Sequence, residues 1–177
     1  MSGMHVTLRP VCAGDEPFLF DLYASTRLEE LAPVGWSAEL RARFLRWQFN
    51  AQQRFYQVAY TGADSQVILL DDRPIGRLYV VRMEDEIRVV DIAILPEYRN
   101  AGIGSRLLGD LLDEATQAGK PVRIHVEKSN PSLHLYQRLG FAIVDDRGVY
   151  WFMERAPRAV DEISLERGSH APGHASS

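Results

Sequence analysis

The sequence predicts a mixed α/β fold built as one domain. Stretches with the two-residue alternation of strands take turns with stretches that are apolar every three or four residues. From about residue 86 to 127 the order is strand, glycine-bearing turn, helix, strand, which is a βαβ crossover. A chain of 177 residues with 46% hydrophobic content can bury a core without staples.

The same composition narrows the partners. A net charge of −4 and the lack of a basic stripe weigh against nucleic acid. The lone cysteine, Cys12, excludes an intrachain disulfide and fits a reducing compartment. Just after a first strand it reads as packing rather than as a nucleophile. The start, "MSGMHVTLRP", has no apolar signal region, and no apolar run approaches the ~20 residues of a membrane span. The expectation is a cytoplasmic protein with no membrane partner.

The elements follow in order. "HVTLRPV" alternates Val6 and Leu8 with Thr7 and Arg9, as a half-buried strand does. Asp15 caps a helix with Pro17 in its first turn and Leu19, Leu22 and Tyr23 on one face. Pro33, Val34 and Gly35 end it. Ser37 caps a second helix, whose apolar face reads as Leu40, Phe44, Trp47, Ala51 and Phe55. "QVILL" is a short buried strand and "DDRP" a turn. "PIGRLYVVRM" and "EIRVVDIAIL" are strands joined by charged residues as a hairpin.

The third helix, "GIGSRLLGDLLDEATQAG", aligns Ile103, Leu107, Leu108, Leu111, Leu112 and Ala115. Gly119 and Pro121 stop it. "VRIHVE" is a strand, "PSLHLYQRLG" a short helix and "VYWFME" a last strand. The domain is expected over 1–155 and a flexible low-complexity tail over 156–177. His170 and His174 stand four apart in that tail, but Pro172 between them rules out a helical metal site, so no metal is expected.

The junction "LPEYRNAGIGSRLL" carries the chemistry. Gly102 and Gly104 fit the first two places of G-x-G-x-x-G, but Leu107 holds the third. Gly104 and Gly109 have P-loop spacing, but Asp110 and Leu111 follow instead of Lys and Ser/Thr. What remains is R-x-x-G-x-G at a helix start. There backbone N–H groups and the helix dipole favour an anion, with pyrophosphate the natural guest. A plain turn that eases helix–sheet packing is the alternative.

R-x-x-G-x-G, then Asn130, then Y-x-x-L-G-F in "EKSNPSLHLYQRLGF" resembles the GCN5-related N-acetyltransferase (GNAT) family. The motifs span roughly 86 to 141. The resemblance implies a mixed sheet of about six to seven strands, helices on both faces, and a V-shaped splay between two central parallel strands, here "EIRVVDIAIL" and "VRIHVE". It assigns Ile92, Ala93, Ile94 and Leu95 to the pantetheine arm of acetyl-coenzyme A. Arg99, Asn100, Ala101, Gly102, Ile103 and Gly104 take the pyrophosphate, with Ser105 at the helix start. Asn130 either caps the short helix or bonds the cofactor arm.

The implied activity is acetyl-coenzyme A-dependent acetylation of the primary amine of a small molecule, by direct attack. An ammonium of ordinary pKa must lose a proton, and the departing thiolate gains from an acid. Tyr136 sits at the family's tyrosine position and is the expected acid and cofactor neighbour. His125, on the polar face of "VRIHVE" with Arg123 and Glu127, and Asp91, before the splay, are both candidate bases. Some relatives place an acidic residue at the position of His125, so this chain departs from their pattern. Glu86 and a water chain are further alternatives. Glu29, Glu30 and Trp36 in "STRLEELAPVGW" are candidates for the acceptor wall, with Gln48, Gln52 and Tyr56 on the second helix. A non-catalytic acyl-coenzyme A-binding module and a peptide acetyltransferase are the competing readings, and the chain is expected to be a monomer or homodimer.

Overall fold

The computed structural model describes residues 3–158, and over these the chain forms seven strands and four helices. The residues read as a tail lie outside the described residues from 159 on, with His170 and His174 among them. The mixed α/β class read from the sequence is the one observed. The chain groups into two compact units. One takes residues up to Arg82 together with Arg88–Arg106; the other takes Met83–Ile87 and residues from Leu107 on.

The first unit holds strands β1 (Val6–Pro10), β2 (Asp64–Leu70), β3 (Arg73–Arg82) and β4 (Ile87–Ile94), neighbours in that order, and helices α1 (Glu16–Leu31) and α2 (Ala38–Ala59). β1 runs antiparallel to β2, with Val6 opposite Leu70 and Pro10 opposite Gln66. β2 runs antiparallel to β3, but the register slips: Ile68 faces Gly76 and Leu69 faces Pro74. Ile75 is therefore the extra residue of a bulge in β3, which bends the strand locally. β3 is buried from Ile75 to Val81 on both faces. At Gly76 the backbone of β4 comes close. A Cβ there would meet the carbonyl oxygen of Ala93 on β4, so only glycine fits.

Two expectations on the helices need correction. Asp15 stands at the start of α1, but its side chain does not cap it. The carboxylate accepts from the two terminal guanidinium nitrogens of Arg9 at 2.8 Å and from the Cys12 N–H at 2.8 Å. The Arg9 hydrogen bond, then that from Cys12, holds the carboxyl well below the usual range. On α2, Ser37 does cap, accepting the Leu40 N–H at 3.2 Å. The apolar face is another one, however. Leu45 and Phe49 are buried, while Leu40 is 48%, Trp47 63% and Phe55 60% exposed. α2 carries two apolar stripes of helical spacing, and the one that meets the aromatic rings of Phe20 and Tyr23 on α1 is the one that is buried.

The second unit holds most of α3 (Ile103–Ala118), then β5 (Val122–Glu127), α4 (Leu133–Arg138), β6 (Ala142–Arg147) and β7 (Tyr150–Arg155). All six apolar residues expected along α3 are buried. β7 lies between β5 and β6 and is antiparallel to both. Val122, Ile124 and Val126 are buried on one face of β5, as the alternation required. β6 was not visible in the sequence: all six of its residues are exposed and three are charged, so it has no inward face to give a pattern. Its pairing with β7 across the turn at Gly148 defines it.

Candidate active site

The loop between β4 and α3 has the backbone of an anion cradle. A 3₁₀ turn over Pro96–Tyr98 leads to an extended Arg99. Asn100 and Gly102 then take positive φ, 60° and 79°. α3 starts at Ile103, and Arg106 N–H makes an early helical bond, to the Gly102 carbonyl at 3.0 Å. The first turn of a helix has no intrahelical acceptors for its N–H groups, so those of Ile103, Gly104 and Ser105 face outward at the positive end of the dipole. A Cβ placed on Gly102 would meet nothing within 4 Å, so the space over the loop is open for an anion. The Arg99 Nε donates to the Ile94 carbonyl at 2.8 Å and ties the loop to the end of β4. These residues fit the pyrophosphate of a coenzyme. Leu95 N–H is bonded to the Ile75 carbonyl at 2.8 Å.

Beside this run lies a cavity of about 60 Å³. Its apolar lining is Leu19, Leu22, Phe49 and Ala93, and its polar lining is Tyr23, Thr26, Arg27, Gln52, Arg77 and Asp91. Asp91 and Ala93 are two apart on β4 and share a face. Asp91 has surface in the cavity yet is packed around by protein. That burial raises its carboxyl pKa from the ordinary value, against the opposing pull of Arg77 and Arg27. Arg77 is 6% exposed. Its Nε donates to Ser65 Oγ at 3.2 Å and its Nη1 to Gln53 Oε1 at 2.9 Å. Its guanidinium lies 4.7 Å from the ring centre of Tyr79. Arg27 pairs with Glu30 at 3.4 Å and lies 5.4 Å from the Tyr23 ring centre.

The structure thus brings Asp91, Ala93 and Gln52 to one cavity. Glu29 and Glu30 are exposed on the last turn of α1 and do not line it. Trp36 stands edge-on to Phe44, ring centres 5.1 Å apart, outside that lining as well. Gln48 is outside the lining, its Oε1 accepting from the Tyr23 hydroxyl at 3.4 Å. Arg77 and Arg27 were not foreseen. The signal for Arg77 was present: an arginine inside "PIGRLYVV" must be buried if the strand is, and a buried cation implies a site.

In the second unit, Tyr136 is 4% exposed in α4, edge-on to Phe141 at 5.8 Å between ring centres. His125 lies opposite Phe152 in the β5–β7 ladder, their rings 4.7 Å apart. Asn130 turns the chain into α4, its Oδ1 accepting the Ser132 N–H at 2.8 Å. That bond closes a turn ahead of α4, whose N-cap position is Ser132. Glu86 is buried against Arg123 at 3.5 Å, and Glu154 holds the same guanidinium at 2.7 Å.

The family model "Acetyltransferase (GNAT) family" matches residues 20–141, more than half of the chain. The chain belongs to the GNAT acetyltransferase family. It is therefore an acyltransferase enzyme, as the R-x-x-G-x-G and Y-x-x-L-G-F motifs led us to expect. The [ribosomal protein bS18]-alanine N-acetyltransferase of Haemophilus influenzae is 29% identical over 114 residues, 64% of this chain and 76% of that protein. The L-amino acid N-acyltransferase MnaT of Escherichia coli is 41% identical over 54 residues, 29% of this chain and 31% of its own length. Among solved structures, the PaiA N-acetyltransferase of Thermoplasma acidophilum in complex with coenzyme A has a TM-score of 0.66 at 18% identity, over 86% of this chain and 99% of that one. At that identity the likeness is one of fold. Among the described residues no three or more His, Cys, Asp or Glu side chains gather as a metal site would need, and no helix is long and apolar enough to cross a membrane.

Proposed function

We propose that this GNAT enzyme transfers an acetyl group from acetyl-coenzyme A to the primary amine of a small molecule. The observation that carries the reading is on β4: Asp91 and Ala93 face the cavity, and the same strand runs on into the anion cradle at 99–105. The coenzyme supplies a thioester activated for attack. Ile92, Ala93, Ile94 and Leu95 would lie along its pantetheine arm. Arg99, Asn100, Ala101, Gly102, Ile103, Gly104 and Ser105 would hold its pyrophosphate.

Asp91 is the base this reading favours over His125, because it faces the cavity and burial raises its proton affinity. His125 instead stacks on Phe152. With the coenzyme bound, Asp91 would take one proton from the ammonium, the amine nitrogen would bond to the thioester carbon, and the carbon–sulfur bond would break as Tyr136 gave its proton to the sulfur; the second proton shed by the nitrogen would restore Tyr136. The products are the amide, the free thiol and one proton lost from the ammonium through Asp91. A cavity of about 60 Å³ has room for a few waters or the head of a small amine.

The test is a panel of amines at saturating acetyl-coenzyme A with release of free thiol as readout. Thiol release that depends on a small amine supports the reading. A peptide with an N-terminal alanine belongs in the panel, because the Haemophilus relative is named for an alanine on a ribosomal protein. Turnover of that peptide with none of any small amine would overturn the small-molecule reading.

A further inference from the structure

Arg77 is an expensive residue to place where it is. Burying a guanidinium costs a great deal unless a counter-charge or a full set of acceptors meets it. None of the ion pairs among the described residues includes Arg77. Of the five N–H donors of an arginine, one goes to Ser65 and one to Gln53, both neutral acceptors. The plane of the group is set by Tyr79, 4.7 Å from its centre, so the remaining donors lie along the edge. Arg77 lines the cavity.

The charged groups around that cavity come from three elements. Arg77 comes from β3, Arg27 from α1 and Asp91 from β4; Tyr23, Thr26 and Gln52 are neutral. Glu30 pairs with Arg27 at 3.4 Å, but its carboxylate is half exposed and does not line the cavity. With Glu30 on Arg27, Arg77 lines the cavity beside Asp91 and keeps donors to spare. A plain alkylammonium would bring a further positive charge to this set. An amine that carries its own carboxylate would bring none. It would set its anionic end against the arginine edge, where two parallel N–H···O bonds form, and its nitrogen toward Asp91.

We propose that Arg77, with Arg27 beside it, is the clamp for a carboxylate on the acceptor, so that the substrate class is amino acids or similar carboxylated amines. The inference rests on the small-amine reading above and deepens it.

The test pairs each of glycine, L-alanine, L-serine, L-methionine and L-phenylalanine with its amide, at saturating acetyl-coenzyme A. The amide's nitrogen is the weaker base and is more often neutral at pH 7.5, so chemistry alone favours the amides. The clamp predicts the reverse for at least one pair, by tenfold or more in kcat/KM and mainly through KM. Arg77→Gln should bring that ratio back toward the amide. Arg77→Lys, which keeps the charge but loses the fork, should fall between. If either Arg77 variant fails to fold by thermal melting, Arg27→Gln at the partly exposed side should still lower the ratio. Amides turned over as well as or better than their acids throughout would overturn the clamp and leave the small-amine reading standing. A ratio unmoved by all the folded variants would overturn it too. No turnover of any acid, amide or other small amine would overturn both.

Discussion

Arg77 on β3 and Asp91 on β4 line one cavity from neighbouring strands, and no ion pair among the described residues joins them. A salt bridge there would tie up the donors and the base together. Kept apart, Asp91 gains proton affinity from its burial, because the attraction of Arg77 and Arg27 does not offset the lost hydration.

Asp91→Asn should therefore lower kcat/KM for the best small amine by roughly 10²-fold or more, the usual scale for loss of a general base. The wild-type profile should rise with pH through a limb lying above the ordinary carboxyl range, and the variant should lack it. His125→Ala should keep the limb, since its ring stacks on Phe152. Steady-state rates from pH 4 to 9 decide between them. A limb that survives Asp91→Asn and disappears in His125→Ala would return the base to His125.

The same burial has a stability consequence of opposite sign. A carboxyl whose folded pKa is raised disfavours the fold when ionised, so the cost is present above the folded pKa and absent below the unfolded one, near 3.9. Asp91→Asn removes it. Its melting temperature should exceed that of the wild type at pH 7, and the gain should shrink to nothing as the pH falls through the ordinary carboxyl range. A variant less stable than wild type at pH 7 would mean that the two arginines hold Asp91 ionised.

Gly102 separates strain from ligand binding. Its φ of 79° disfavours any side chain, while a Cβ would meet nothing within 4 Å. Gly102→Ala should cost about 1–2 kcal/mol of stability through the backbone alone. It should also weaken coenzyme A binding at least tenfold in calorimetry, because the open space over the loop is where the pyrophosphate would sit. Gly109→Ala is the control: it lies within α3, also with open space, and should be neutral or stabilising by roughly 0.5–1 kcal/mol. Equal coenzyme affinity in both variants and wild type would remove the loop from the coenzyme site.

What was legible in the sequence was what has a period or a backbone demand. The stripe of α3 and the alternation of β5 both follow from spacing and residue type. The face of α2 was misread because two apolar stripes share that helix, and only packing on α1 chooses between them. β6 was missed because an edge strand exposed on both sides has no periodicity to read. The cavity was half legible. Asp91 and Gln52, singled out from the sequence, line it; Glu29, Glu30 and Trp36 do not, and Arg27, Thr26 and Arg77 do. A charged residue in a helix end usually faces water; one inside an apolar strand cannot.

Tyr136 combines burial with an expected chemical role, and its hydroxyl can be removed without its ring. The ring packs edge-on to Phe141, and the Phe141 N–H bonds to the Tyr136 carbonyl at 3.0 Å, so α4 and the turn after it should survive Tyr136→Phe. If the hydroxyl protonates the departing sulfur, the variant should lose about 10²-fold or more in kcat. KM for acetyl-coenzyme A and the calorimetric affinity for coenzyme A should move by only a few-fold. An interaction made only in the transition state lowers kcat and kcat/KM together, which is the pattern to look for. A melting temperature close to wild type would rule out a packing defect as the cause. Wild-type kcat in a folded variant would leave Tyr136 as a core ring and the thiolate leaving without an acid.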